Sequence, residues 1–140
     1  MFNQQLIFVP CLILILITFS VLIVMFTRRV KNIKSGEVPP AYFKTYTTDH
    51  RESVKTIQAQ RNFTNLHESP PIFYTLCIIT YLTGNVTELM IGLSWAFLAL
   101  RIAHTIIHIT TNKLRPRMLS FAGSWLVIVI MSVVLLTKII

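Results

Sequence analysis

Two short stretches of this sequence carry ionisable and amide side chains at helical spacing. Arg61, Asn65 and Glu68 are spaced i, i+4, i+7 and would form one stripe on a helix, continued by Ile72. That stripe offers a cation, an amide and an anion. Arg101, His104 and His108 fall at i, i+3, i+7 within a run from Leu89 to Ile109 that is otherwise almost wholly apolar. Charged or titratable groups at such positions are costly in lipid, so they face a bundle interior or a wet cavity and mark a functional site. A third position, Arg117, follows Arg115 and Pro116 at the start of another apolar run, where a cation can meet an anion. Plainer readings exist for each. Arg61 and Glu68 can be interfacial charges that snorkel or pair locally; Arg101 can satisfy Glu68 in a structural ion pair while the histidines are capped by backbone carbonyls; and Arg117, like Lys113 and Arg115, can be a topological anchor. His104 and His108 approach from one side of one helix and cannot supply the two opposite axial ligands of a haem. No further Cys, Asp or His at ligand spacing completes a zinc site, so no metal centre is expected beyond a weak two-histidine possibility.

The elements that must position these residues are membrane helices. Of 140 residues, 54% are hydrophobic and 13% charged, too apolar for an ordinary water-soluble domain. Leu6 to Phe26 lacks any ionisable group and is long enough to cross a hydrocarbon core of about 30 Å at about 1.5 Å per residue. No Lys or Arg precedes it and no small-residue cleavage pattern follows, so it reads as a permanent helix rather than a signal peptide. The pattern predicts an all-α, integral membrane four-helix bundle in a single domain, 1–140, with helices over about 5–34, 52–82, 86–112 and 117–138. Helix II is unusual: its first half carries Lys55, Arg61, Asn65, His67 and Glu68, and only the half after Pro71 is apolar. The polar stripes of helices II and III are expected to face each other, since neither can be left in hydrocarbon.

Basic residues cluster between helices I and II and between III and IV, whereas the turn around Gly84 has none. The positive-inside bias puts loops 27–52 and 112–117 in the cytoplasm and both termini on the opposite side. Lys34 to Asp49 reads as the one substantial loop. The formal charge of +8 is attributed to membrane lipid headgroups rather than nucleic acid, because no soluble basic domain with stacking aromatics is present. Cys11 and Cys77 lie in apolar stretches and read as small buried hydrophobes. The sequons at Asn62 and Asn85 read as chance matches, the first on the cytoplasmic side and the second in a very short turn.

In this order on four helices, these residues resemble the MAPEG superfamily: membrane-associated proteins in eicosanoid and glutathione metabolism, which include microsomal glutathione transferases and prostaglandin E synthase. The resemblance covers nearly the whole chain. Arg61-Asn62-Phe63-Thr64-Asn65-Leu66-His67-Glu68 is similar to the family's Arg-x-x-x-Asn-x-x-Glu on helix II, and Arg101-Ile102-Ala103-His104 to its Arg-x-x-His on helix III. The spacing from His104 to Arg117 resembles that between the helix III histidine and the arginine opening helix IV. The resemblance implies a homotrimer with glutathione bound between subunits near the cytoplasmic side. It assigns Arg61 and Arg101 to carboxylates or to ordering the polar core, Glu68 to the glutamyl ammonium and Asn65 to the peptide. His104 and His108 complete the set, and Arg28 reaches in from a neighbour. The resemblance likewise implies that Arg117 is the catalytic residue, its charge stabilising the thiolate.

This chain departs from the family at ligand-contacting positions. Thr64 stands where several members carry a second basic residue, His108 where a tyrosine is common, and Met118 and Phe121 where prostaglandin E synthase has serine and tyrosine. Met118 cannot donate a hydrogen bond to a thiolate, so activation would rest on Arg117, or on Ser120 if the helix start is shifted. Three functions are therefore weighed. The first is a glutathione-dependent transferase or peroxidase acting on apolar electrophiles or lipid hydroperoxides. The second is a non-catalytic lipid-binding or scaffold protein of the same fold. The third is a small multidrug transporter, which ranks lowest because helix I has no carboxylate and Glu68 precedes the apolar half of helix II.

Overall fold

The computed structural model describes residues 3–46 and 50–140, and the regular structure among them is helical. Asn3 Oδ1 accepts a hydrogen bond from the Gln5 amide at 3.0 Å and starts a 3₁₀ turn, Gln4–Phe8, that leads into α1, Val9–Lys34. Lys31 and Lys34 sit in the last turn of α1, opposite the negative end of its dipole. Gly36, at φ 76°, turns the chain away through a left-handed position that a Cβ would strain. The connecting loop contains a single helical turn, α2, Tyr42–Thr45. The part of the expected long loop at Thr47–Asp49 lies outside the described residues.

Where one helix was expected over 52–82, the chain forms two: α3, Val54–Asn65, and α4, Ser69–Leu82. The cause is local. Neither Pro70 nor Pro71 has an amide N–H to give the preceding turn, and each ring would collide with the carbonyl four residues back. Leu66 to Glu68 therefore close tight turns, His67 N to Thr64 O at 2.9 Å and Glu68 N to Asn65 O at 3.4 Å, and the prolines sit in the first turn of α4, where no donor is needed. Helix α5, Glu88–Ile109, starts at Thr87, whose Oγ1 accepts from the Met90 amide at 3.2 Å. Helix α6 runs Leu114–Ile139, with Pro116 in its first turn.

Gln4–Lys34, Glu88–Ile109 and Leu114–Ile139 are each long and apolar enough to cross a membrane. The jointed pair α3–α4 forms the fourth column of an all-α membrane bundle. Its 14-residue α4 reaches only about 21 Å by itself, so the column needs part of α3 to span the bilayer. The core holds Leu14, Phe73, Cys77, Met90 and Met131, all essentially buried, with Phe73 stacked on Phe97 at 4.2 Å between centroids. At the basic end, Arg28 donates to the carbonyls of Lys55 and Ile109, tying α1 to the start of α3 and the end of α5. Buried Asn32 donates to Ser53 Oγ and Thr56 Oγ1.

Helices α5 and α6 approach closely at Gly123, where an added Cβ would lie 3.3 Å from Leu100 Cδ2. Small residues at such contacts let membrane helices pack backbone to backbone. Gly123→Leu is expected to destabilise the detergent-purified protein by about 1–3 kcal/mol through overpacking, read as a lower melting temperature. Gly92→Ala, at a helical position with nothing within 4 Å, is the control and should lose nothing.

Candidate functional site

The break in helix II shapes the site. In a continuous helix the Asn65 carbonyl would be taken by the amide of residue 69. With the helix ended, that oxygen keeps only a long 3.4 Å bond from the Glu68 amide, and Arg101 Nη2 donates to it at 2.9 Å. Arg101 is 0% exposed and lies with its Cζ 5.9 Å from the centre of the Phe121 ring, while its Nε and Nη1 have no hydrogen-bond partner. Among the described residues the one contact ion pair is Arg29 with Glu52; Glu68 of the same chain acts on Arg101 only at longer range, without a salt bridge. A buried guanidinium with free donors and no contacting counter-ion is an expensive arrangement, kept where something else supplies the anion.

His104 and His108 are buried on the same face of α5, ring centroids 5.5 Å apart. His104 Nδ1 donates to the Arg117 carbonyl at 3.1 Å, which fixes the tautomer of the neutral ring and leaves Nε2 as a buried acceptor without a partner. His108 Nδ1 is also buried and unpartnered. Arg117, half-buried, donates through Nη1 to Asn112 Oδ1. Asn112 holds a left-handed conformation, φ 50°, just past the end of α5, so one residue both turns the chain and fixes the arginine.

Asn65, His104 and Arg117, from three columns, line one cavity of about 280 Å³ that Met118, Phe121 and Ala122 complete. The lining thus combines an amide, an imidazole and a guanidinium with apolar side chains, and Met118 is 58% exposed on the outer surface. Such a chamber suits a ligand with a charged or polar part and an apolar neighbour approaching from the membrane.

The remaining candidates lie elsewhere. Arg61 and Glu68 are exposed on the single chain and only half-buried Asn65 lines the cavity, although Arg61 and Glu68 lie close enough to act electrostatically on His108 and Arg101 of α5. The buried side of α3 is instead Thr56, Ala59 and Asn62. The polar half of helix II carries hydrophilic groups all round, and docking against Asn32 of α1 selects the uncharged face. Arg28 is engaged by its own chain's carbonyls and does not line the cavity. Sequence reasoning missed Asn62, which is 0% exposed with both amide atoms unpartnered, as well as Thr105 and Ser69, whose buried hydroxyls also lack partners. It also missed Asn112. The spacing of Thr56, Ala59 and Asn62 at i, i+3, i+6 was the available signal for the first.

Against known proteins, the sequence model of the MAPEG family matches residues 7–137. No curated protein and no solved structure matches.

Proposed function

The chain belongs to the MAPEG family, integral membrane proteins of eicosanoid and glutathione metabolism, and from that premise we propose that it is a homotrimeric, glutathione-dependent transferase or peroxidase. Its substrates would be apolar electrophiles or lipid hydroperoxides. The observation that carries this reading is the cavity in which Asn65, His104 and Arg117 converge, with buried Arg101 bonded to the Asn65 carbonyl and keeping two donors unpartnered. Orphaned donors on Arg101 and an orphaned acceptor on His104 fit a tripeptide that brings carboxylates, amides and an ammonium.

In this reading glutathione supplies a thiol nucleophile, and the protein's residues bind it and hold charge around it. Arg101 and Arg61 take carboxylates, Asn65 the peptide and Glu68 the ammonium. Arg117, fixed by Asn112, lowers the thiol pKa from about 8.5 and raises the nucleophilic fraction at neutral pH. Met118, Phe121 and Ala122 receive the apolar substrate from lipid. Arg61 and Glu68 are exposed on a lone chain yet cannot be left in hydrocarbon, which supports a neighbouring subunit covering them and completing a cavity at the small end for a ligand of this size. We place the basic loops in the cytoplasm and both termini opposite, from the charge bias.

A scaffold or lipid-binding role is the second reading. It is favoured by Met118 and Phe121, which give the cavity no hydroxyl donor, and by Arg28, already bonded within its own chain. A transporter remains the least supported, since no carboxylate lines the cavity. The deciding experiment is a thermal shift of the detergent-purified protein with glutathione. At a hundred times the dissociation constant the stabilisation should be about 2.7 kcal/mol, and Asn65→Ala or Glu68→Ala should reduce it. No shift at millimolar glutathione with the protein folded would select the scaffold reading.

A further inference from the structure

A second hollow lies at the basic end of α1, outside the cavity above and unused by the proposed chemistry. Phe26, Arg29, Val30 and Ile33 recur at i, i+3, i+4, i+7 on one face of α1, and the returning loop lays Pro40, Phe43 and Tyr46 against them around a space of about 340 Å³. Its depth follows from the sequence. Phe26 ends the uncharged run that began at Leu6, and Ile33 lies about 10 Å further along the helix. The hollow therefore extends from the edge of the hydrocarbon through the layer where lipid glycerol and phosphate reside.

Its chemistry changes along the same axis. Phe26 is 64% exposed and opens the hollow to acyl chains. Farther out, the Arg29 guanidinium sits under two rings, its Cζ 5.3 Å from the centre of Phe43 and 5.8 Å from that of Tyr46. Arg29 Nε and Nη2 donate to Glu52 Oε1 and Oε2 at 2.9 and 3.5 Å. The Glu52 side chain is only 2% exposed against 19% for Arg29, so the carboxylate holds the guanidinium from beneath. Arg29 Nη1 remains, without a hydrogen-bond partner among the described residues. The segment 27–55 carries seven Lys and Arg against three Asp and Glu, an excess that attracts anions.

We infer that this hollow binds one anionic phospholipid per chain, with its phosphate on Arg29 Nη1 and an acyl chain along Phe26, Val30 and Ile33. The alternatives fit less well. A cationic headgroup caged by Phe43 and Tyr46 is excluded because Arg29 already occupies those ring faces. A small soluble anion would leave the apolar half of the hollow unfilled. Glu52 is a positioning residue, holding the arginine plane that gives the site its direction.

The test is native mass spectrometry of the full-length protein in mild detergent, titrated with phosphatidylserine, phosphatidylcholine or inorganic phosphate. One phosphatidylserine per chain should be retained, favoured over phosphatidylcholine by about fivefold or more. Phe43→Ala, which leaves the Arg29–Glu52 pair intact, and Arg29→Lys, which keeps the charge but loses the planar fork, should each remove most of that preference. Lys34→Gln, which deletes an exposed charge outside the hollow, should leave it within about twofold. Three results would overturn the inference: equal retention of both lipids, equal losses in Lys34→Gln and Phe43→Ala, or displacement of the lipid by millimolar inorganic phosphate. The first would mark an unselective acyl groove, the second diffuse surface attraction, and the third a free-phosphate site. Should Arg29→Lys fail to fold, the Phe43→Ala result decides alone.

Discussion

Arg101→Met is expected to stabilise the ligand-free protein by about 1–4 kcal/mol while sharply weakening its response to glutathione. The two effects have opposite signs because they come from one cause. Within the chain the guanidinium has a single hydrogen bond, to the Asn65 carbonyl, a ring contact with Phe121, and two donor atoms without partners. Methionine fills similar volume without a buried charge, so the free protein benefits. A carboxylate ligand loses a charge-assisted pair worth about 1.5–3 kcal/mol, a weakening of roughly tenfold to a hundredfold. Thermal unfolding with and without glutathione reads both quantities. If Arg101→Met instead destabilises the free protein by about 3–5 kcal/mol, the guanidinium is already paired in the assembly. Glu68, exposed on the single chain and already acting on Arg101 at longer range, is then its counter-ion, and Glu68→Gln should cost a comparable amount.

Arg117→Ala should separate thiol chemistry from binding. A cation tethered at the cavity mouth acts on the thiolate, whereas Asn65, Arg101 and the covering charges hold the rest of the tripeptide. The variant is expected to bind glutathione within a few-fold of the parent. It should lose the ultraviolet thiolate signal and turnover with an aromatic electrophile, by about tenfold for each 1.4 kcal/mol removed. Lys113→Ala is the control for general charge: Lys113 is exposed and does not line the cavity, so turnover should persist. Asn112→Gly preserves the left-handed turn and deletes the oxygen that holds Arg117. Its turnover should fall between the other two. Equal losses in Arg117→Ala and Lys113→Ala would reduce the effect to surface charge, and unchanged turnover in Arg117→Ala would remove the residue from the mechanism.

Much of the architecture is written in periodicity. The uncharged run from Leu6 to Phe26 admits only a membrane helix, since nowhere else can that length of continuous apolar surface be stable. The polar line of Arg101, His104 and His108 within an apolar segment similarly has one tolerable orientation: a lone stripe at helical spacing must turn from lipid, whatever the helix packs against. Sequence alone also carried the resemblance that the family match supports over residues 7–137.

Helix II was not decidable in this way. Its first half has polar groups on every side, so periodicity selects no inward face, and the charges Arg61 and Glu68 were the conspicuous choice. The tertiary structure turned Asn62 inward instead, because α3 docks on α1 through Thr56 and Asn32, a contact between residues 24 apart in sequence. The break before Pro70 and Pro71 follows from a local rule. What it does is non-local: it leaves the Asn65 carbonyl with only a long local bond and so within reach of an arginine 36 residues away. Arg28 presents the same limit in reverse, being drawn to carbonyls at Lys55 and Ile109 that no spacing reveals. A residue's type and period determine whether it must leave lipid, and only the packing of distant helices determines which partner it finds there.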